Sequence, residues 1–109
     1  MQISKVSDRH LLVCRLEGRL DAYQVPRLKE ALEPLDRALH LDLSGVSFID
    51  SSGLAALIGL YKRAREIGVG FELSGIQDGV RLILEITGLE RILPIRAGAA
   101  PRPSASGEG

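Results

Sequence analysis

The sequence predicts an α/β fold: a mixed, mostly parallel sheet of four to five strands with its helices packed mainly on one face. Three observations predict it. Stretches with alternating apolar and polar residues are separated by stretches with apolar residues at helical spacing, the order expected of parallel strands joined by right-handed crossovers. The strand-like stretches keep charged residues at alternate positions, whereas strands covered on both sides would be almost wholly apolar. The chain has 109 residues, 45% hydrophobic and 26% charged, enough for one core and too few for two.

Element by element, an opening strand around Ile3 to Val6 turns at Ser7-Asp8-Arg9 and pairs as a hairpin with Leu11 to Gly18, in which Leu12, Cys14 and Leu16 alternate with Val13, Arg15 and Glu17. Val25, Leu28, Leu32 and Leu35 then recur at helical spacing. Pro26 suits a first helical turn, and Pro34 ends the regular helix near Leu32. Leu39-His40-Leu41-Asp42-Leu43 is the next strand, ending near Ser44. A helix follows in which Leu54, Leu57, Tyr61 and Ala64 turn inward, and Gly68 closes it. Val69 to Leu73 repeats the strand pattern, and Val80, Ile83 and Leu84 mark a last helix stopped by Gly88. Residues 1–96 form the domain. From residue 97 the chain reads AGAAPRPSASGEG, with no large apolar residue, the composition of a disordered tail.

Composition excludes several functions. Fourteen basic residues balance fourteen acidic ones, so no net field draws the chain to nucleic acid or an anionic membrane. Two Tyr, two Phe and no Trp leave no aromatic platform for bases or sugars. A single cysteine, Cys14, and two histidines, His10 and His40, support neither an internal disulfide nor a histidine-rich metal site, and both histidines are expected at the surface. The longest uncharged run, Ser51 to Tyr61, is too short to span a bilayer. A cytoplasmic protein without a cofactor, acting without membrane or direct nucleic-acid contact, is the expectation.

The chemistry concentrates at Phe48-Ile49-Asp50-Ser51-Ser52-Gly53-Leu54, where the chain has crossed the turn after the strand ending near Ser44 and the next helix begins. Asp50 or Ser51 can cap that helix by accepting a backbone N–H, and Gly53 lets another backbone come close. A hydrolase elbow requires Gly where Ile49 stands, and a histidine base. No phosphate-binding G-x-x-x-x-G-K-[ST] follows any strand. Projection at 100° per residue puts Ser52, Ala55, Ala56, Gly59, Lys62, Arg63 and Glu66 on the outer face, a smooth strip beside Ser51 suited to a close-packed partner. Modification of the serine and docking along this strip are the remaining readings beside plain capping.

The block LDLSGVSFIDSSGL, residues 41–54, resembles the central motif of bacterial anti-sigma factor antagonists, proteins built on the STAS domain (sulfate transporter and anti-sigma antagonist). Gly18-Arg19-Leu20-Asp21, Tyr61-Lys62-Arg63-Ala64, Ser74-Gly75-Ile76 and Thr87-Gly88-Leu89 agree with other segments of that family, so the similarity covers residues 1–96. The resemblance implies a non-enzymatic switch. Unmodified, such an antagonist binds an anti-sigma factor that is also a serine kinase and frees the sigma factor. Phosphorylation of the first serine after the aspartate, here Ser51, breaks that binding, and a phosphoserine phosphatase restores it. Asp21 and Asp50 flank the acceptor, and Ser52, Gly53, Ala55, Ala56 and Gly59 complete the implied docking surface. The same domain also serves in stress-signalling scaffolds and transporter complexes, so an accessory subunit of such an assembly is the alternative that the resemblance allows.

Overall fold

The computed structural model of the chain describes residues 1–103. Its sheet has four strands in the order β1 (Gln2–Ser7), β2 (Leu11–Leu20), β3 (Ala38–Ile49) and β4 (Phe71–Ser74). The first two form the expected antiparallel hairpin, and β2–β3 and β3–β4 are parallel, joined by α1 (Val25–Leu32) and α2 (Ser51–Ile67). A last helix, α3 (Asp78–Thr87), leads into a short 3₁₀ turn at Leu89–Arg91. Beyond it, the Leu73 amide donates to the Pro94 carbonyl and the Arg96 amide to the Leu73 carbonyl, so Ile95 lies beside β4 as a one-residue fifth strand. Of the segment expected to be a disordered tail, residues 104–109 lie outside the described residues.

The sheet is one-sided. Cys14 and Leu16 of β2, Leu39, Leu41 and Leu43 of β3, and Phe71 and Leu73 of β4 share a single core with Leu28 of α1, Leu57 and Leu60 of α2, and Val80 and Leu84 of α3. Arg15, Glu17, Asp42, Ser44 and Glu72 occupy the alternate positions on the other face, where Arg15 lies 2.9 Å from Glu17 and 3.7 Å from Asp42.

Three expectations change. First, β3 runs on to Ile49 instead of ending near Ser44. Its pairing with β2 slips twice, Arg15↔Asp42 being followed by Glu17↔Gly45, and Gly18↔Val46 by Arg19↔Phe48, so β3 carries one extra residue at each bulge. The buried positions accordingly pass from period two (Leu39, Leu41, Leu43) to period three (Val46, Ile49), which breaks the alternation that marks a strand in sequence. Gly45 sits at the first bulge, where a Cβ would lie 2.8 Å from the Leu16 carbonyl oxygen.

Second, His40 is buried, at 1% exposure, although it alternates with the inward leucines. Its Nδ1 lies 3.1 Å from a Glu72 carboxylate oxygen and its Nε2 2.6 Å from the Ser74 hydroxyl. The carboxylate can only accept, so neutral His40 donates from Nδ1 and accepts the Ser74 hydrogen at Nε2. Two satisfied ring nitrogens make burial tolerable.

Third, the buried arc of α2 runs through Gly53, Ala56, Leu57, Leu60 and Ala64, turned by roughly 60° from the predicted stripe at 100° per residue. Leu54 and Tyr61 are only half-buried, and Ala56, expected outside, is inside. The cause is α1. It packs along one flank of α2, so that helix is covered from two directions, by the sheet and by a neighbour that sequence periodicity does not see.

Candidate functional site

The two parallel strands β2 and β3 end level with one another, Leu20 opposite Ile49, so Asp21 and Asp50 open adjacent turns. Each carboxylate organises its own turn. Asp21 Oδ1 accepts from the amides of Tyr23 and Gln24, at 3.1 and 3.2 Å. Asp50 is the cap of α2, its Oδ1 accepting from the Gly53 amide at 2.9 Å, while its Oδ2 reaches across to the Ala22 amide at 3.2 Å. The Asp50 amide donates to the Leu20 carbonyl at 3.3 Å. One side chain and one amide thus tie the α2 cap to the end of β2. Of the two caps foreseen, Asp50 supplies this one.

Ser51 is the first residue of α2 and is exposed. Ser52 is half-buried and lines, with exposed Ala55 and Gly59, a cleft of about 350 Å³ between α1 and α2 that Val25, Lys29 and Glu33 close from the α1 side. Ala56 and Leu60 form its floor. Gly53 is buried: a Cβ there would lie 2.4 Å from the Leu20 carbonyl oxygen and 2.7 Å from Ile49 Cγ1. The close backbone approach read from the sequence is therefore real, and it sets Gly53 beneath the site while Ser51 and Ala55 lie on it.

The structure adds residues that periodicity did not mark. Tyr23, two residues after Asp21, is 87% exposed. The Arg19 guanidinium lies 4.0 Å from the centre of the exposed Phe48 ring and 3.6 Å from the Asp21 carboxylate. Two of the four aromatic side chains thus stand at the mouths of the two turns. The signal was present in the sequence as an exposed-type turn residue in a chain otherwise poor in aromatics, but nothing in its spacing separated it from a core tyrosine.

Ser74, His40 and Glu72 are linked in the order a hydrolase uses, but the Ser74 hydroxyl is 1% exposed and no substrate reaches it. Burial pushes the Cys14 thiol up to about 11, so it stays protonated. Among the described residues no group of His, Cys, Asp and Glu has the arrangement of a metal site, and no helix is long and apolar enough to cross a membrane.

Comparison with known proteins agrees with this architecture. The model of the STAS domain matches residues 2–100. The anti-sigma-B factor antagonist of Listeria monocytogenes is 39% identical over 83 residues, 72% of this chain and 73% of that protein. The anti-sigma-B factor antagonist of Staphylococcus aureus is 32% identical over 88 residues, 77% of this chain and 82% of its own length. Among solved structures, the anti-sigma factor antagonist SpoIIAA in its unphosphorylated form superposes with a TM-score of 0.75, at 21% identity, over 90% of this chain and 87% of that one. A one-sided mixed sheet, paired acidic turns at the ends of its parallel strands and a match over nearly the whole chain lead to one conclusion: the chain belongs to the STAS domain family.

Proposed function

We propose that this protein is an anti-sigma factor antagonist of the cytoplasm, acting by binding and not by catalysis, and that phosphorylation of Ser51 switches it off. The observation that carries the reading is an exposed serine on the first turn of α2, directly after the capping Asp50, in a chain 39% identical to an anti-sigma-B factor antagonist. In the unmodified state the partner, an anti-sigma factor with serine kinase activity, docks on the Asp21 and Asp50 turns and along Ser52, Ala55 and Gly59. Gly53 and Ala56 support that surface from beneath. The kinase transfers the terminal phosphoryl group of its nucleotide: an O–P bond forms at Ser51 Oγ, the hydroxyl proton leaves, and the bond to the nucleoside diphosphate breaks. A phosphoserine phosphatase reverses the modification by hydrolysis.

The electrostatics say where the effect of the phosphate falls. A phosphate carries about −1.5 to −2 charge at neutral pH, and a helix N-terminus favours negative charge. The modified domain therefore stays folded. The partner meets added bulk, a group costly to desolvate, and two neighbouring carboxylates that reinforce its charge. Ser51→Asp is expected to weaken binding to the anti-sigma factor at least tenfold, while its Tm stays within about 2 °C of wild type. Calorimetric titration and thermal melts measure the two quantities; a large loss of stability would shift the explanation from interface to fold.

The decisive experiment is to incubate the protein with candidate anti-sigma kinases and ATP and to map phosphate by mass spectrometry. Phosphate at Ser51, absent in Ser51→Ala, is the expected result. Phosphate only at Ser104 or Ser106, or at no serine with any kinase, overturns the switch.

A further inference from the structure

The Asp21 side chain is only 18% exposed, and both of its oxygens are engaged within the chain. Oδ1 accepts from the amides of Tyr23 and Gln24, and Oδ2 lies 3.6 Å from Arg19 Nε. Little of this carboxylate is left for another molecule, whereas the two side chains it holds are open. Tyr23 is almost wholly exposed, and its ring and hydroxyl have no hydrogen bond or ring contact among the described residues. The other aromatic rings are occupied: Tyr61 and Phe71 pack on one another with centres 5.7 Å apart, and Phe48 lies under Arg19. Arg19 is paired with Phe48 across the sheet, its guanidinium 4.0 Å from the ring centre, and its side-chain N–H donors make no hydrogen bond among the described residues.

We infer that Tyr23 and Arg19 are the two anchors that decide which partner this site accepts, and that Asp21 serves as a positioning residue that holds both without meeting the partner itself. The inference rests on the antagonist reading above and adds the chemistry of the partner: an apolar pocket for a tyrosine ring, beside a carboxylate that the guanidinium grips with two parallel N–H bonds. A single exposed tyrosine on a protein surface is ordinary. Here it is coupled through one carboxylate to a second open group, and tyrosine and arginine are the residue types that most often carry the binding energy of interfaces. Both are held in advance. The Tyr23 turn is fixed by its own amide and that of Gln24 on Asp21, and by the Ala22 amide on Asp50, so docking has only two side-chain torsions of Tyr23 to freeze. Stacking on Phe48 and the ion pair with Asp21 restrain Arg19 in the same way. Asp50 directly precedes Ser51, so a partner that reaches the acceptor also meets the turn that Asp50 latches.

Calorimetric titration and phosphorylation kinetics with an anti-sigma kinase that acts on wild type test it. Tyr23→Ala is expected to weaken binding about tenfold or more and to raise KM for Ser51 phosphorylation far more than it lowers kcat, with Tm unmoved because the side chain packs on nothing. Tyr23→Phe keeps most of the affinity, since the ring fills the pocket. Arg19→Ala weakens binding, and Arg19→Glu weakens it further by setting like charges together. A double-mutant cycle isolates Asp21. Asp21→Asn keeps an acceptor for the two amides but discharges the pair with Arg19, so it weakens binding in wild type and adds little once Arg19 is alanine. An equal loss in both backgrounds shows that the partner touches Asp21 and overturns the positioning role. Tyr23→Ala binding as tightly as wild type overturns the anchor. If no anti-sigma kinase binds or phosphorylates wild type, the antagonist reading falls and takes the inference with it, a result distinct from either of these.

Discussion

Asp50 does two jobs with one carboxylate, and its two oxygens separate them. Oδ1 caps α2 through Gly53, and Oδ2 holds the Ala22 amide of the neighbouring turn. Asp50→Ala loses the cap and leaves a second amide unpaired, an expected cost of about 2 kcal/mol. Asp50→Asn keeps an acceptor at Oδ1 but turns a donor toward Ala22, so it should fall between wild type and alanine in urea-induced unfolding. Gly53→Ala is more severe than its size suggests. The added carbon meets a backbone oxygen and not a side-chain end that could swing away, so a loss of about 2–3 kcal/mol is expected in the same measurement. An alanine variant as stable as wild type would show that β2 yields at Leu20.

Elements differ in how openly the sequence announces them. The helix ends were legible because each has a local chemical cause: Pro34 stops α1 after Leu32, and Gly68 and Gly88 close α2 and α3 in the left-handed conformation. The later half of β3 was not, because its bulges replace period two with period three, a pattern with no strand signature of its own. The face of α2 was misjudged for a different reason: α1 covers its Ala56–Leu60 flank, and packing between two helices leaves no mark in the periodicity of one. Asp50 and Ser51 could be found because helix caps favour particular residue types, and Asp21 only because Gly18-Arg19-Leu20-Asp21 resembles a family segment, whereas Tyr23, Lys29 and Glu33 join the site only through folding. His40 illustrates the limit. Burial lowers its pKa from the ordinary 6.5, against the opposing pull of the Glu72 carboxylate. The unfolded chain then binds the proton more readily than the folded one, so the stability contributed by neutral His40 is complete above pH 6.5 and is lost as pH falls below it. Thermal melts between pH 7.5 and 5.5 should show Tm dropping in wild type and a shallower drop in His40→Gln, a window above the range in which most carboxylates titrate.

At the scale of the whole molecule, one core serves a sheet covered on a single side, and the candidate site lies outside it at the carboxyl ends of two adjacent parallel strands. This is where α/β sheets place their ligands, since loops there are free to vary while the strands hold them in position. Stability and recognition should therefore separate. Leu57→Ala, at a fully buried position of α2, is expected to cost about 3 kcal/mol in unfolding free energy. At temperatures well below its Tm it should still be phosphorylated at Ser51 at the wild-type rate; a rate that fell in step with stability would couple core and surface. The bond from Asp50 to Ala22 gives the molecule one more property. Because a single carboxylate latches the two turns together, the amide of Ala22 lies in a different loop from Ser51, the proposed acceptor, yet is hydrogen-bonded to the residue that precedes it. In a nitrogen–proton NMR spectrum that one resonance should move when phosphate is added to Ser51 and return when it is removed, a built-in reporter that needs no label at the acceptor itself.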